Sequence, residues 1–252
     1  MAWIPLSIDT ALLSGLIFLA ALIYSSVGHA GASGYIAAMA LMGIAPNVMK
    51  PTALTLNILV ATLATIRWRS IGLVNWNALL PLLATSIPCA FIGGAIQLPY
   101  TYYRLLVGLV LLAAAAKLLF QPSEQGGTAD HSAVVPWLGG SLTGAGVGLL
   151  SGLTGTGGGI FLSPVLLFLG WAGPRQASGI TAPFILFNSI AGLAGNLLVL
   201  RSLPVELLWF MVAAFVGGVA GTNIGMRWAS PITLQRLLGV VLVIAGTKFL
   251  WV

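Results

Sequence analysis

Two related halves make up this sequence, and each half runs from a long apolar stretch into a glycine-rich break and then into three further apolar stretches. One offset aligns Gly31 with Gly158 and Gly43 with Gly170 across the two breaks. Duplicated membrane segments with interrupted helices are typical of secondary transporters, in which the paired breaks build a substrate site. The duplication therefore predicts two homologous four-segment repeats, each with a glycine-broken helix or re-entrant arm.

The hydropathy of the chain predicts a protein of the lipid bilayer. Hydrophobic residues make up 59% of the chain and charged residues 6%, whereas a soluble domain carries about 25% charged residues. Several stretches approach the roughly 20 residues that cross hydrocarbon. They are residues 11–27, 51–66, 77–98, 104–120, 136–154, 179–200, 204–227 and 236–252. We therefore predict an all-α polytopic membrane protein.

Two shorter apolar segments, residues 35–44 and 160–170, follow the breaks and are too short to span the bilayer alone. We interpret them as half-helices or re-entrant arms. If they return to the side from which they came, the two halves have inverted orientations; if they cross, the halves are parallel. The positive-inside rule does not decide between these, because arginines occur in loops on both sides. We favour the inverted arrangement.

A polar linker divides the chain into an N-terminal membrane repeat, residues 1–120, and a C-terminal membrane repeat, residues 136–252. The linker, residues 121–135, is the only sustained polar stretch of the sequence. The other connections are short, which leaves no room for a soluble catalytic or nucleotide-binding domain. The first ten residues contain no Lys or Arg, so a cleavable signal peptide is not expected.

The two glycine clusters form the predicted substrate site. Glycine runs interrupt a helix, and an unpaired amide in lipid costs several kcal/mol unless a cavity, water or ligand satisfies it. A short helix that begins after each break would add its N-terminal amides and the positive end of its dipole. The predicted binding residues in the clusters are Gly28, His29, Gly31, Ser33, Gly34, Gly155, Thr156, Gly157, Gly158 and Gly159. Isolated glycines such as Gly144 and Gly217 are expected to permit close helix packing instead.

The distribution of acids predicts an anionic substrate. The chain has four Asp and Glu residues, and none lies between Asp9 and Glu124. Cation transporters usually hold their ions with acids inside the membrane, so such a site is not expected here. No metal ion or cofactor is predicted, since Cys89 is the only cysteine and there is no cluster of ligands. The net charge of +6 comes from basic residues at span ends, where contact with lipid headgroups is the default and nucleic-acid binding is not expected.

Three polar side chains add to the candidate site. His29 lies inside the first break, where it could bind an oxyanion, carry a proton, or simply pack as a neutral side chain. Asn57 and Asn188 occupy similar positions after the two breaks if two or three residues are inserted in the second copy. Such amides either join helices or donate to a substrate, and we predict that both donate to the substrate.

The sequence resembles the sulfite exporter TauE/SafE family. The resemblance rests on GTGGGIFLSPVLLFLG at residues 155–170 and its weaker partner GHAGASGYIAAMALMG at residues 28–43, and it covers nearly the whole chain. In the first half, Ala32 and Ser33 replace glycines and Ala38 stands near the counterpart of Pro164. The resemblance implies a secondary transporter of the bacterial inner membrane that exports small sulfur-containing anions such as sulfite or organosulfonates.

Other classes of function remain to be compared with this interpretation. A small-anion channel could use the same glycine breaks and is the alternative. An intramembrane enzyme is not expected, because Ser151 does not fit a Gly-x-Ser-Gly nucleophile and a pair of membrane acids is missing. The partners expected for the transporter are a small anion, membrane lipids, protons as the coupling ion, and further copies of the chain in a homo-oligomer.

Overall fold

The fold consists of α-helices. The computed structural model describes residues 7–26, 29–120, 133–200, 203–227 and 232–251, and no strand occurs in these ranges. The helices are α1 (Ile8–Ser26), α2 (Ala32–Leu41), α3 (Pro46–Ser70), α4 (Trp76–Ala95), α5 (Tyr100–Phe120), α6 (Trp137–Thr154), α7 (Gly159–Phe168), α8 (Pro174–Leu200), α9 (Leu207–Arg227) and α10 (Ile232–Trp251). The predicted all-α class is confirmed. Gly28 and most of the predicted linker, residues 121–132, lie outside the described residues.

Four helices are long and apolar enough to cross a membrane within the described part of the chain. They are Ile8–Ser26, Pro46–Ser70, Trp76–Ala95 and Arg175–Val199. A helix satisfies its backbone hydrogen bonds internally, as hydrocarbon requires. Large apolar side chains such as Leu142 and Leu208 remain exposed on the outer faces, which suits contact with lipid chains.

The helix boundaries follow local chemistry. Helix α3 begins at Pro46, a residue favoured at the first helical position because the missing N–H would have no partner there. The predicted span of residues 51–66 begins at Pro51, which instead lies inside the helix. Helix α4 begins after Asn75, whose side chain accepts a hydrogen bond of 3.1 Å from the Ala78 amide.

The two short apolar segments are helices α2 and α7, of ten residues each. At 1.5 Å per residue each is about 15 Å long, half of a hydrocarbon core. Helix α2 follows Gly31, with φ of 102°, and α7 follows Gly158, with φ of 82°. Both values lie in the left-handed region that glycine adopts without steric cost. These glycines therefore decide where each short helix starts.

Glycines allow the long helices to approach closely. Helix α4 packs between α6 and α8, and α1 packs along α9. A Cβ added to Gly144 of α6 would lie 2.2 Å from the Leu82 carbonyl oxygen, and one added to Gly152 would lie 2.1 Å from the Ala90 carbonyl oxygen. In α9, a Cβ on Gly217 would lie 2.4 Å from the α1 backbone. The prediction that isolated glycines permit close helix packing is confirmed at Gly144 and Gly217.

Two apolar clusters surround the short helices. One joins residues of α1, α2, α3, α5, α9 and α10. The other joins residues of α4, α6, α7 and α8. Ile160 of α7 and Ile185 of α8 nevertheless pack into the first cluster, so the two clusters adjoin beside the beginning of α7.

Candidate functional site

A small cavity lies where the first turns of α2 and α7 approach each other. Its volume is about 10 Å³, roughly the space of one water molecule. The residues lining it are Tyr24, His29, Ala30, Gly31, Ala32, Ser33, Asn57, Thr156, Gly159, Ile160 and Ile185. The two glycine clusters, which are far apart in sequence, therefore share one cavity. We call it the site cavity.

The beginnings of two helices line the site cavity. Ala32 and Ser33 open α2, while Gly159 and Ile160 open α7, and neither helix has a side-chain cap. The first amides of a helix have no partner within the helix and carry the positive end of its dipole. Among the described lining residues there is no Asp, Glu, Lys or Arg. The cavity is thus polarised by backbone amides without a fixed acid or permanent cation.

A hydrogen bond beside the cavity links the first cluster to α7. The Nε2 atom of His29 lies 2.8 Å from the hydroxyl oxygen of Ser163 in α7. Ser163 donates to the Gly159 carbonyl at 3.0 Å and lies 3.3 Å from the Thr181 hydroxyl of α8. With its proton given to Gly159, the Ser163 hydroxyl accepts from a protonated Nε2. The first break is therefore joined to α7 and α8.

Asn57 of α3 contacts the second cluster directly. Its side-chain amide nitrogen donates to the Thr156 carbonyl at 3.3 Å and to the Ser189 hydroxyl at 3.4 Å. Its Oδ1 atom is buried with no hydrogen-bond partner among the described residues. A Cβ on Gly157 would lie 2.5 Å from the Asn57 amide nitrogen. Glycine at that position therefore lets the amide reach the break.

Asn188 has different surroundings from Asn57. It is fully buried, and its amide nitrogen donates to the Ser86 hydroxyl of α4 at 3.1 Å and to the Phe184 carbonyl at 2.8 Å. It does not line the site cavity. The structure thus separates two asparagines for which the sequence predicted the same role.

Several predicted glycines lie near the cavity without lining it. A Cβ on Gly34 would lie 2.7 Å from the Ala20 Cβ in α1. One on Gly155 would lie 3.1 Å from the Lys50 Cα, and one on Gly158 would lie 3.0 Å from the Phe184 ring. The remaining predicted residue of the first cluster, Gly28, lies outside the described residues.

Sequence reasoning missed two side chains of the site. Tyr24 lines the cavity, and its hydroxyl is hydrogen-bonded to Ser33. Ser163 was overlooked as the partner of His29. A signal for Ser163 was present, because it lies four residues after Gly159 and hence on the same face of α7. Tyr24 had no such signal, since only the fold of α2 back onto α1 brings it to the cavity.

The described residues contain no group of three or more His, Cys, Asp or Glu side chains placed to hold a metal ion. The chemistry of the site therefore rests on amides, hydroxyls and one imidazole. These groups can donate hydrogen bonds to a bound ligand.

Known proteins similar to this chain are membrane transporters. The sequence matches the family described as "Sulfite exporter TauE/SafE" over residues 13–249. It is 40% identical over 235 residues to the "Probable membrane transporter protein y4hK" of Sinorhizobium fredii (strain NBRC 101917 / NGR234), and the alignment covers 93% of this chain and 95% of that protein. No solved structure matches the chain. With its long apolar helices and a match over most of its length, this protein is an integral membrane transporter that belongs to the TauE/SafE family.

Proposed function

We propose that this protein is a secondary transporter that exports small sulfur-containing anions such as sulfite or organosulfonates. The anion binds at the site cavity, between the repeats and near the membrane midplane. The observation that carries the proposal is that both short helices begin at this cavity, where no lining residue among those described is an acid. Two converging helix N-termini favour a negative charge.

The proposed binding groups differ in what they supply. The first amides of α2 and α7 offer N–H donors beside Gly31, Ser33 and Gly159. The side chains of His29, Asn57 and Thr156 add donors to an oxyanion. Gly28, Gly34, Gly155, Gly157 and Gly158 belong to the site as the backbone that forms the two breaks. Asn188 belongs to the proposed site as a second side-chain amide. In this structure that amide donates to the Ser86 hydroxyl and the Phe184 carbonyl.

The small volume of the site cavity supports a carrier that opens and closes. An oxyanion of sulfur is larger than one water molecule, so α2 and α7 must separate before it can enter a cavity of about 10 Å³. Two hydrogen bonds, from His29 to Ser163 and from Asn57 to Thr156, join the N-terminal half of the chain to the C-terminal half beside this cavity. A cavity of this small size, bordered by such hydrogen bonds, favours a carrier over the alternative, a small-anion channel.

His29 is the group we propose for proton coupling. A protonated imidazole donates from both ring nitrogens and carries a positive charge, which favours an anion beside it. The neutral ring lacks that charge. Loss of the proton would therefore weaken the binding of the anion. In this way the release of a proton is coupled to the release of the substrate.

We propose that two repeats, residues 1–120 and 136–252, are joined by the linker at residues 121–135 and have inverted orientations in the bacterial inner membrane. The packing supports two-fold symmetry between them. Helix α1 packs along α9, and the corresponding pair, α6 and α4, is also in contact. The aligned glycines Gly43 and Gly170 also both have positive φ, at 73° and 64°. Symmetry of this kind places equivalent breaks on a common axis.

A ligand screen tests the proposal. A ligand that binds only the folded protein raises its melting temperature. The purified protein is heated with sulfite, sulfate, thiosulfate, sulfoacetate, taurine and simple carboxylates. We expect a saturable rise with one or more sulfur oxyanions and none with the carboxylates. Efflux of the stabilising anion from proteoliposomes is then measured, and we expect saturation with substrate concentration.

Two results would contradict the proposal. If none of the sulfur anions raises the melting temperature of a protein that unfolds cooperatively, the assignment of substrate class is wrong. If efflux rises linearly with concentration and shows no coupling to protons, the channel alternative is favoured instead.

A further inference from the structure

Lys50 is a buried cation that the proposed transport site does not use. It lies in the second turn of α3 and is 4% exposed. Its ammonium nitrogen donates to three main-chain carbonyls at the end of α4, those of Gly93 at 3.1 Å, Gly94 at 2.9 Å and Ile96 at 3.2 Å. An ammonium group has three N–H donors, so these contacts use all of them.

The three carbonyls form an acceptor group at the negative end of a helix dipole. Helix α4 ends at Ala95, and Ile96 is its C-terminal cap. The last carbonyls of a helix have no partner within the helix, and they carry the negative end of the dipole. In membrane transporters such carbonyls can coordinate a free monovalent cation that couples transport. Here the chain itself supplies the positive charge.

We propose that the carbonyls of Gly93, Gly94 and Ile96 form a monovalent-cation site in which the Lys50 ammonium is the resident, tethered cation. The site accepts a free ammonium ion once the Lys50 side chain is removed. The separations of 2.9 to 3.2 Å are those of N–H···O hydrogen bonds, so the fitting free ion is one that donates hydrogen bonds. We call these three carbonyls the α4 carbonyl site.

The position of Lys50 connects this site to the second glycine cluster. A Cβ on Gly155, in the second glycine cluster, would lie only 3.1 Å from the Lys50 Cα and 3.2 Å from its carbonyl oxygen. Lys50 therefore contacts the second break through its backbone while its ammonium holds the end of α4. Because the cation is covalently attached, the α4 carbonyl site stays occupied without a dissociable ion such as sodium.

The test is a cation-dependent rescue of stability in Lys50→Ala. Removing the side chain leaves the carbonyls and creates space beside them, and Ile96 is 41% exposed, so a small ion can enter. The melting temperature is measured in ammonium chloride and in tetramethylammonium chloride, which has the same charge but no N–H donor. We expect ammonium to raise the melting temperature of Lys50→Ala saturably by at least about 3 °C, and tetramethylammonium to have no such effect.

Matched variants separate this site from general effects of salt. Lys50→Met fills the space without a charge and is expected to be insensitive to ammonium. Lys248→Ala removes a lysine that donates to only two carbonyls, those of Ala40 at 3.3 Å and Leu41 at 3.2 Å. We expect its response to ammonium to equal that of the wild-type protein. An ammonium effect that is absent from Lys50→Ala, or equal in all four proteins, overturns the proposal.

The proposal can still be tested in the case that Lys50→Ala unfolds during purification. The yield of monodisperse protein is then compared after solubilisation in ammonium and in tetramethylammonium. A higher yield in ammonium supports the site, and equal yields overturn it. No sulfur anion is present in these experiments, so their result does not depend on the proposed substrate.

Discussion

His29 Nε2 and Ser163 Oγ lie 2.8 Å apart, although 134 residues separate them along the chain. This hydrogen bond joins the first glycine cluster to α7, the short helix that begins in the second. The contact lies beside the site cavity, which His29 lines and which has a volume of about 10 Å³. In the proposed transport cycle this hydrogen bond lengthens when an oxyanion enters.

His29→Gln is expected to remove the pH dependence of transport, while the anion still binds at the weaker level of the neutral imidazole. Glutamine retains a polar side chain but does not titrate, whereas an ordinary histidine side chain has a pKa of about 6.5. Initial rates of efflux from proteoliposomes are measured between pH 5.5 and 8. Ser163→Ala is the companion variant, because it removes the partner of Nε2 and leaves the imidazole in place. Identical pH profiles for the wild type and His29→Gln reject His29 as the proton carrier.

Asn57→Ala is expected to weaken binding of the anion. Losing a hydrogen bond to a charged group costs about 1.5 to 3 kcal/mol, or roughly 10- to 150-fold in dissociation constant. Asn188→Ala is expected to act mainly on stability, since its amide donates to Ser86 and to the Phe184 carbonyl. Dissociation constants and melting temperatures are measured for both variants. A larger loss of affinity in Asn188→Ala than in Asn57→Ala would falsify this division of roles.

Thr156→Asp is expected to abolish transport, while Thr156→Asn retains part of it. Both replacements have nearly the same shape, but only aspartate brings a negative charge to a cavity that we propose for an anion. Thr156 is the suitable position because it lines the cavity, whereas a side chain on Gly158 would point toward Phe184 and Val147. The measurement is efflux from vesicles with equal amounts of inserted protein. Equal transport by the two variants would show that the anion does not bind beside Thr156.

Gly152→Ala is expected to destabilise the packing of α6 on α4. Its Cβ would lie 2.1 Å from the Ala90 carbonyl oxygen, and overpacking of this kind costs about 1 to 3 kcal/mol. Gly146→Ala on the same helix is the matched control, because a Cβ there meets nothing within 4 Å. We expect a lower melting temperature for Gly152→Ala and an unchanged or higher one for Gly146→Ala. Equal melting temperatures would mean that the close contact is not needed for stability.

Much of the site's backbone was predictable from sequence. The positive φ angles of Gly31, Gly155, Gly157 and Gly158 lie at the two predicted breaks, because a residue without a Cβ is the local requirement for that conformation. The short helices then begin within three residues of the predicted positions. The roles of the polar side chains were less predictable. Asn57 and Asn188 look alike in sequence, but different neighbouring helices determine their partners.

The sequence by itself determined that this chain is helical, apolar enough for a bilayer, and interrupted at two glycine clusters. Hydropathy and glycine conformation are local properties, so no tertiary contact is needed to read them. Only the tertiary structure decided which groups converge. Asn57 meets the Thr156 carbonyl across 99 residues of chain, and Lys50 meets the Gly94 carbonyl across 44. Such contacts depend on which helices pack together and on how far each is shifted along its axis relative to its neighbour. The spacing of residues along one helix does not determine that arrangement.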